Sequence, residues 1–251
     1  KNVDLIVFRG VMTSILCMPY MRQDEWHLSA TKVGNTIVIE NRPTAAKLRD
    51  NDPSKQTFRQ RLATYWGHRF ETISTMPVPA YEINSPGIDG NCITNTNAEY
   101  CSVFHTQLGS HGIVMAAEVD CATSRKVTDP ADSTSRHPNR LYLELKTSKQ
   151  PGNPTEVQFF ERNKLLKFWA QSFLAGIPTV IVGWRTHSGR GSNRCSVTGI
   201  QRFETRDIPR MVRGKPWMWD PNVCLNFADE FIAFMKQFIF SRWRYSVTPS
   251  T

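Results

Sequence analysis

Two charged triplets set inside apolar runs constrain this 251-residue chain more than any other feature. Glu118-Val119-Asp120 closes the strand-like run 113–120, and Glu144-Leu145-Lys146 lies within 141–147. Alternate residues of a strand point to one face, so Glu118 projects with Asp120, and Glu144 with Lys146. Unpaired charges among Val114, Met115, Val119, Leu141, Leu143 and Leu145 are costly to bury. If the two strands are neighbours in one sheet, three carboxylates and one ammonium converge on a single patch. Either triplet alone also fits a solvated strand face; the two together favour a shared site.

The elements around them read as follows. A strand over 3–8 ends at Arg9-Gly10, and a hairpin over 27–40 turns at Gly34-Asn35. Residues 41–51 read as a polar connection to a helix, with Asp52 as N-cap and Pro53 in the first turn. Phe58, Leu62, Tyr65, Trp66 and Phe70 then follow at helical spacing. Residues 76–97 form a Pro/Gly-rich loop. Strands over 101–106 and 113–120 are separated by a long polar loop, 121–140, from the strand over 141–147. Thr155 to Gln158 has a capping-box pattern and opens a helix to about Leu174. A buried strand spans 179–184, a loop 188–194 precedes another strand, and 222–240 is a final helix. No internal repeat or linker breaks this order, which predicts an α+β fold: one domain over 1–251, with mixed β-sheets flanked by helices.

Composition narrows the partners. The net charge of +9 points to a polyanion, nucleic acid before membrane, with charge kept for solubility as the equal alternative. Six cysteines show no CxxC pair and no zinc spacing, the usage of a reducing compartment; Cys17 and Cys121 read as strand positions, Cys224 as helical. No run reaches the roughly 18 apolar residues of a membrane span. The chain starts at Lys1 without a signal sequence, so it reads as a piece trimmed at both ends.

Hard carboxylate oxygens gathered in one place suit Mg²⁺ or Mn²⁺. Two such ions can clamp the attacking and leaving oxygens of a phosphoryl displacement, with the lysine orienting water or stabilising the phosphate. This (D/E)…(D/E)xK logic is that of restriction-type nucleases.

Longer motifs carry a resemblance. Phe8-Arg9-Gly10, Gly67-His68-Arg69-Phe70-Glu71, Gly109-Ser110-His111, Glu118-Val119-Asp120-Cys121 and Leu143 to Ser148 occur in one order, followed by Lys164 to Phe173 and Pro221 to Phe227. Over nearly its whole length the chain resembles the decapping exoribonuclease (DXO/Dom3Z) family. The resemblance implies that Glu118, Asp120 and Glu144 ligate two Mg²⁺ or Mn²⁺ ions, with the Leu145 carbonyl as a further ligand and Glu71 bound directly or through water. It implies that Lys146 and Gln171 face the scissile phosphate and its water. Arg9 would hold a substrate phosphate, and Phe8, Gly10, Cys101 and Glu118 would border the RNA. Periodicity alone turns Glu71 away from the Phe58/Leu62/Trp66 stripe, toward solvent. His111 reads as holding the turn before the catalytic strand. The chain departs from the family in having Phe8 where tryptophan is expected, a longer 121–140 loop, and short termini.

The function expected is a metal-dependent hydrolase of incompletely or non-canonically capped RNA 5′ ends, covering decapping, deNADding, pyrophosphohydrolase and 5′–3′ exoribonuclease chemistry. The alternative is a weak or inactive member that binds RNA ends or scaffolds a 5′–3′ exoribonuclease. A DNA nuclease of the same superfamily is a third reading. The resemblance places the protein in the nucleus, and also in the cytoplasm, with no membrane partner.

Overall fold

A computed structural model describes residues 2–21, 27–52, 54–76, 92–97, 99–123, 141–187, 195–239 and 244–247. Pro53 and most of the three long predicted loops (77–91, 124–140 and 188–194) lie outside the described residues.

Two mixed sheets organise the chain. The first contains β1 (Leu5–Phe8), β2 (Leu28–Val33), β3 (Thr36–Asn41), β4 (Cys101–Leu108), β5 (His111–Glu118) and, last in the chain, the strand Arg244–Val247. In space β1 lies between β3 and β5 and runs parallel to both, while β4 pairs antiparallel with β5 at the edge. The second sheet is ordered β6 (Cys121–Ala122), β7 (Tyr142–Lys149), β8 (Thr179–His187), β9 (Cys195–Glu204). Here β7 and β8 are parallel, and the other pairs antiparallel.

Helices tie the sheets together. Helix α1 (Arg9–Cys17) follows β1 without a break and buries Val11, Met12, Ile15, Leu16 and Cys17. The sequence reading ended a strand at Arg9 and placed Cys17 in another; both positions are helical. The helix is apolar on nearly every side, which hides its 3.6-residue period. The short helix α2 (Ala45–Asn51) replaces the predicted polar connection. Helix α3 (Phe58–Ser74) is capped by Thr57 and Gln60 in a reciprocal capping box, not by Asp52. Asp52 instead accepts from the amide and hydroxyl of Ser54, a local turn that uses the same short acidic side chain.

Helix α4 (Pro154–Phe159) is capped by Asn153, whose side chain accepts from the Glu156 amide; Pro154 occupies the first turn, so the cap precedes the predicted Thr155. A π turn, Phe160–Lys164, leads into α5 (Leu165–Ala175), which stops at the left-handed Gly176. Helix α6 (Ile208–Val212) and the long α7 (Pro221–Phe238) complete the set. Helix α1 packs on α5 and α7. One apolar core therefore joins Leu5, Ile39 and Met115 of the first sheet to Val180, Val182 and Phe203 of the second. Among the described residues no helix is long and apolar enough to cross a membrane.

Candidate active site

The two triplets converge, but not as neighbours in one sheet. Glu118 ends β5 in the first sheet, and the chain crosses at Val119-Asp120 to form β6 beside β7 in the second. The crossing is pinned by hydrogen bonds on both sides: Val119 N–H donates to the Tyr100 carbonyl, and Leu145 N–H donates to Asp120 Oδ2 at 2.6 Å. Asp120 is thus held against the middle of β7 by its own carboxylate. The short span between strands of different sheets carries no periodicity, so sequence reasoning could not see the crossing.

Glu144 is the most deeply placed charge, fully buried, on the face of β7 that it shares with the core residues Val180 and Val182 of β8. Arg9 Nη1 donates to its Oε2 at 2.7 Å, and Lys146 Nζ to its Oε1 at 2.6 Å; Lys146 also lies 3.7 Å from Asp120 Oδ2. Arg9 reaches it because α1 begins where β1 ends, and Phe8, extended, offers no side-chain cap. The positive end of the α1 dipole therefore faces the acidic patch.

Glu71 joins from α3. Phe70, its neighbour, seats on β8 where Gly183 has no side chain; a Cβ there would stand 2.7 Å from the Phe70 ring. That seat turns the last turns of α3 over β7, and Glu71 is partly buried rather than facing solvent, contrary to the periodicity reading. Phe58 and Tyr65 of the supposed inward stripe are more than half exposed. His68 Nδ1 lies 3.6 Å from Glu71 Oε2.

The electrostatics show an excess of acid. Burial raises the Asp120 pKa, with the Glu144 charge adding to it against the pull of Lys146. Burial also raises Glu71, helped by Asp120, and raises Glu118, helped by Glu99 and Asp120. Burial opposes charge on Lys146, yet the Glu144 and Asp120 carboxylates outweigh it and hold the ammonium above the ordinary lysine value. The Cys121 thiol, buried beside Asp120, Glu144 and Glu71, is pushed up to about 11, which keeps it protonated. Glu99, which sequence reasoning missed, belongs to this acidic field; it has no motif, and only the placement of β4 beside β5 brings it near.

The substrate-facing candidates divide. Cys101 stands directly across from Glu118 in the β4–β5 pair. Phe8 pairs with Ala116, which shares a strand face with Glu118, and is 63% exposed, so Phe8, Cys101 and Glu118 border one open face. Gly10 is exposed in the first turn of α1. Gln171 is half-buried on α5, and among the described residues no hydrogen bond joins it to the carboxylates or Lys146. His111 is buried at the start of β5, at the far end from Glu118, after the turn at Gly109.

The donor set fits divalent cations: hard oxygens, with Glu71, Glu118, Asp120 and Glu144 set against Arg9 and Lys146. Among the described residues no three acidic, histidine or cysteine side chains converge on one point in this arrangement. Both oxygens of Glu144 are taken by Arg9 and Lys146, so coordination by Glu144 requires one of these pairs to loosen.

A mixed sheet bearing Asp120 at a strand crossing and Glu144-Leu145-Lys146 on the next strand is the frame of a PD-(D/E)XK nuclease. The chain belongs to the RAI1-like PD-(D/E)XK nuclease family, whose model matches residues 1–249. It is 36% identical over 236 residues to the decapping and exoribonuclease protein of Xenopus laevis, and 34% identical over 259 residues to the decapping nuclease RAI1 of Neurospora crassa. These alignments cover 94% and 99% of this chain but 54% and 60% of the relatives, so the chain spans little more than half their length. The crystal structure of Scheffersomyces stipitis Rai1 in complex with (3′-NADP)⁺ and calcium ion superposes with a TM-score of 0.82 at 26% identity, covering 99% of this chain and 65% of that one.

Proposed function

We propose that this protein hydrolyses phosphodiester or pyrophosphate bonds at the 5′ end of incompletely or non-canonically capped RNA, using two divalent cations, Mg²⁺ or Mn²⁺. The observation that carries the reading is the buried acid excess around Asp120 and Glu144, on a nuclease frame and beside an ammonium held charged. The relatives' names, decapping and exoribonuclease protein and decapping nuclease, support the substrate class. The calcium ion and (3′-NADP)⁺ of the S. stipitis relative support the metal and a nucleotide ligand.

Glu118, Asp120 and Glu144 would hold the cations, with the Leu145 carbonyl and Glu71 completing the set. When bound, such ions neutralise charge on the phosphoryl oxygens and lower the pKa of a bound water. Lys146, kept protonated, supplies a fixed positive charge at the scissile phosphate and in this state serves as an electrostatic stabiliser rather than a base. Arg9 offers a planar fork to phosphate oxygens once it leaves Glu144. Gln171 would orient the attacking water. Phe8 offers a face on which a base can stack, and Gly10 and Cys101 border the strand. Nuclear residence, extending to the cytoplasm, and a 5′–3′ exoribonuclease partner are proposed from the family resemblance; fluorescence localisation and co-purification check them.

Cleavage of 5′-triphosphorylated and capped RNA with Mg²⁺ or Mn²⁺, in wild type and Glu118→Ala/Asp120→Ala, tests the reading. Mass spectrometry of the products identifies the bond broken. Activity confined to the wild type is expected; equal activity in the double variant contradicts the assignment. The second reading is a weak family member that binds RNA ends or scaffolds an exoribonuclease, and retained RNA binding without cleavage by wild type would select it.

A further inference from the structure

Helix α3 delivers Glu71 to the site with its last turns, but its first turns have another character. Residues three and four apart are neighbours on a helix, and Phe58, Arg61, Tyr65, His68 and Glu71 follow one another by such steps. Phe58, Arg61 and Tyr65 share one face within about 60°, at 3.6 residues per turn. The row then curves through His68, which lies 3.6 Å from Glu71, to Glu71 itself, about 140° round from Phe58 and about 20 Å along the axis at 1.5 Å per residue. At its outer end Phe58 is 54% and Tyr65 51% exposed, with the exposed Arg61 between them. Among the described residues Arg61 has no acidic partner, and Glu71 is the only acid on the helix. Two bare aromatics in the first turns of a helix usually mark a face packed on something apolar. A cation seated between them, with no carboxylate to answer it, is wrong for an apolar partner and right for one with both flat rings and negative charge.

We propose that this face is a stacking rail for single-stranded RNA, taking bases on Phe58 and Tyr65 and a phosphate on Arg61, and leading by way of His68 to the end held at Glu71. The inference rests on the RNA reading above, and deepens it by naming where the body of the strand runs. Ring-on-base stacking is indifferent to sequence, and arginine charge follows the backbone, so the rail gives length-dependent affinity without sequence preference. Its consequence is division of labour: the carboxylate site reads the 5′ end, and α3 holds whatever single strand follows.

The test compares steady-state kinetics and fluorescence-anisotropy binding on single-stranded 5′-phosphorylated RNA of roughly ten nucleotides and on a dinucleotide, for wild type, Phe58→Ala/Tyr65→Ala and Arg61→Gln. All three positions are exposed, so circular dichroism and melting temperature should not change. The aromatic variant is expected to raise KM and Kd for the long RNA about tenfold or more while kcat on it holds, and to leave the dinucleotide KM where it was. The arginine variant should flatten the salt dependence of long-RNA binding. Wild-type affinity that does not grow with RNA length, or variants indistinguishable from wild type on the long RNA, overturns the rail. A protein partner on this face would give that second result. If wild type cleaves no RNA but its long-RNA binding still falls in the variants, the nuclease reading fails and the rail stands.

Discussion

The neighbouring strands β1 and β5 carry a charge cluster at each end, and the two clusters are opposites in kind. At the start of the strands Lys236 donates to Asp4 Oδ1 at 2.7 Å, and Asp4 Oδ2 accepts from the Gly112 amide. His111 lies close to Lys236 and to Asp229. Asp4 and Asp229 thus face Lys236 and the His111 ring, and Asp4 is held below the usual carboxylate range, chiefly by the Lys236 hydrogen bond. At the other end Arg9 and Glu118 open onto a patch where Glu71, Asp120 and Glu118 are all pushed up by burial. Both clusters brace the same pair of strands. The first pairs Asp4 with Lys236 and is structural; the second is short of positive charge and is completed only by something added. Unbalanced buried charge, rather than the presence of charge, distinguishes a site from a brace.

Changes at the two ends should therefore behave differently. The largest effect is expected for Glu144→Ala, which leaves Arg9 and Lys146 buried without their shared carboxylate: about 3–5 kcal/mol of stability lost by urea denaturation, together with all hydrolysis. Gly183→Ala comes next. Its methyl group would collide with Phe70 and displace α3, for a loss of about 1–3 kcal/mol and a fall in kcat through the misplacement of Glu71. Phe70→Leu in the same background should recover part of both. The smallest is Lys236→Met at the other end, worth less than about 1 kcal/mol because the pair is part-exposed and screened, with no change in activity. Its sign with pH is fixed. A folded pKa below the unfolded value stabilises at neutral pH, and that contribution is lost as pH falls through the lowered folded value. The melting-temperature gap between wild type and Lys236→Met should be open at pH 7 and close below about pH 4. A Lys236→Met variant that abolished cleavage, or a Glu144→Ala variant of native stability, would break the comparison.

What the chain announced was the chemistry more than its placement. Strand parity correctly set Glu144 and Lys146 on one face, because a period of two survives in any sheet. It could not show that Glu118 and Glu144 belong to different sheets, since the crossing at Val119-Asp120 depends on the Leu145 amide, 25 residues from Asp120. Arg9 was legible as a phosphate ligand by family resemblance, but its pairing with Glu144 depends on a helix, α1, whose burial on nearly every side erases the periodic signal. Glu71 was misread for the converse reason: the apolar stripe of α3 is a poor guide to its buried face, because only Phe70 is fully buried there. Asp52 and Thr155 show the limit of cap motifs, where several suitable residues compete and local turns decide.

Titration calorimetry with Mn²⁺, in the presence and absence of a 5′-triphosphorylated RNA, most directly probes whether the acid excess is a cation site. Wild type and Lys236→Met should each take up about two ions, whereas Glu118→Ala/Asp120→Ala takes up none. Equal uptake by the double variant, or none by wild type under either condition, would contradict the account.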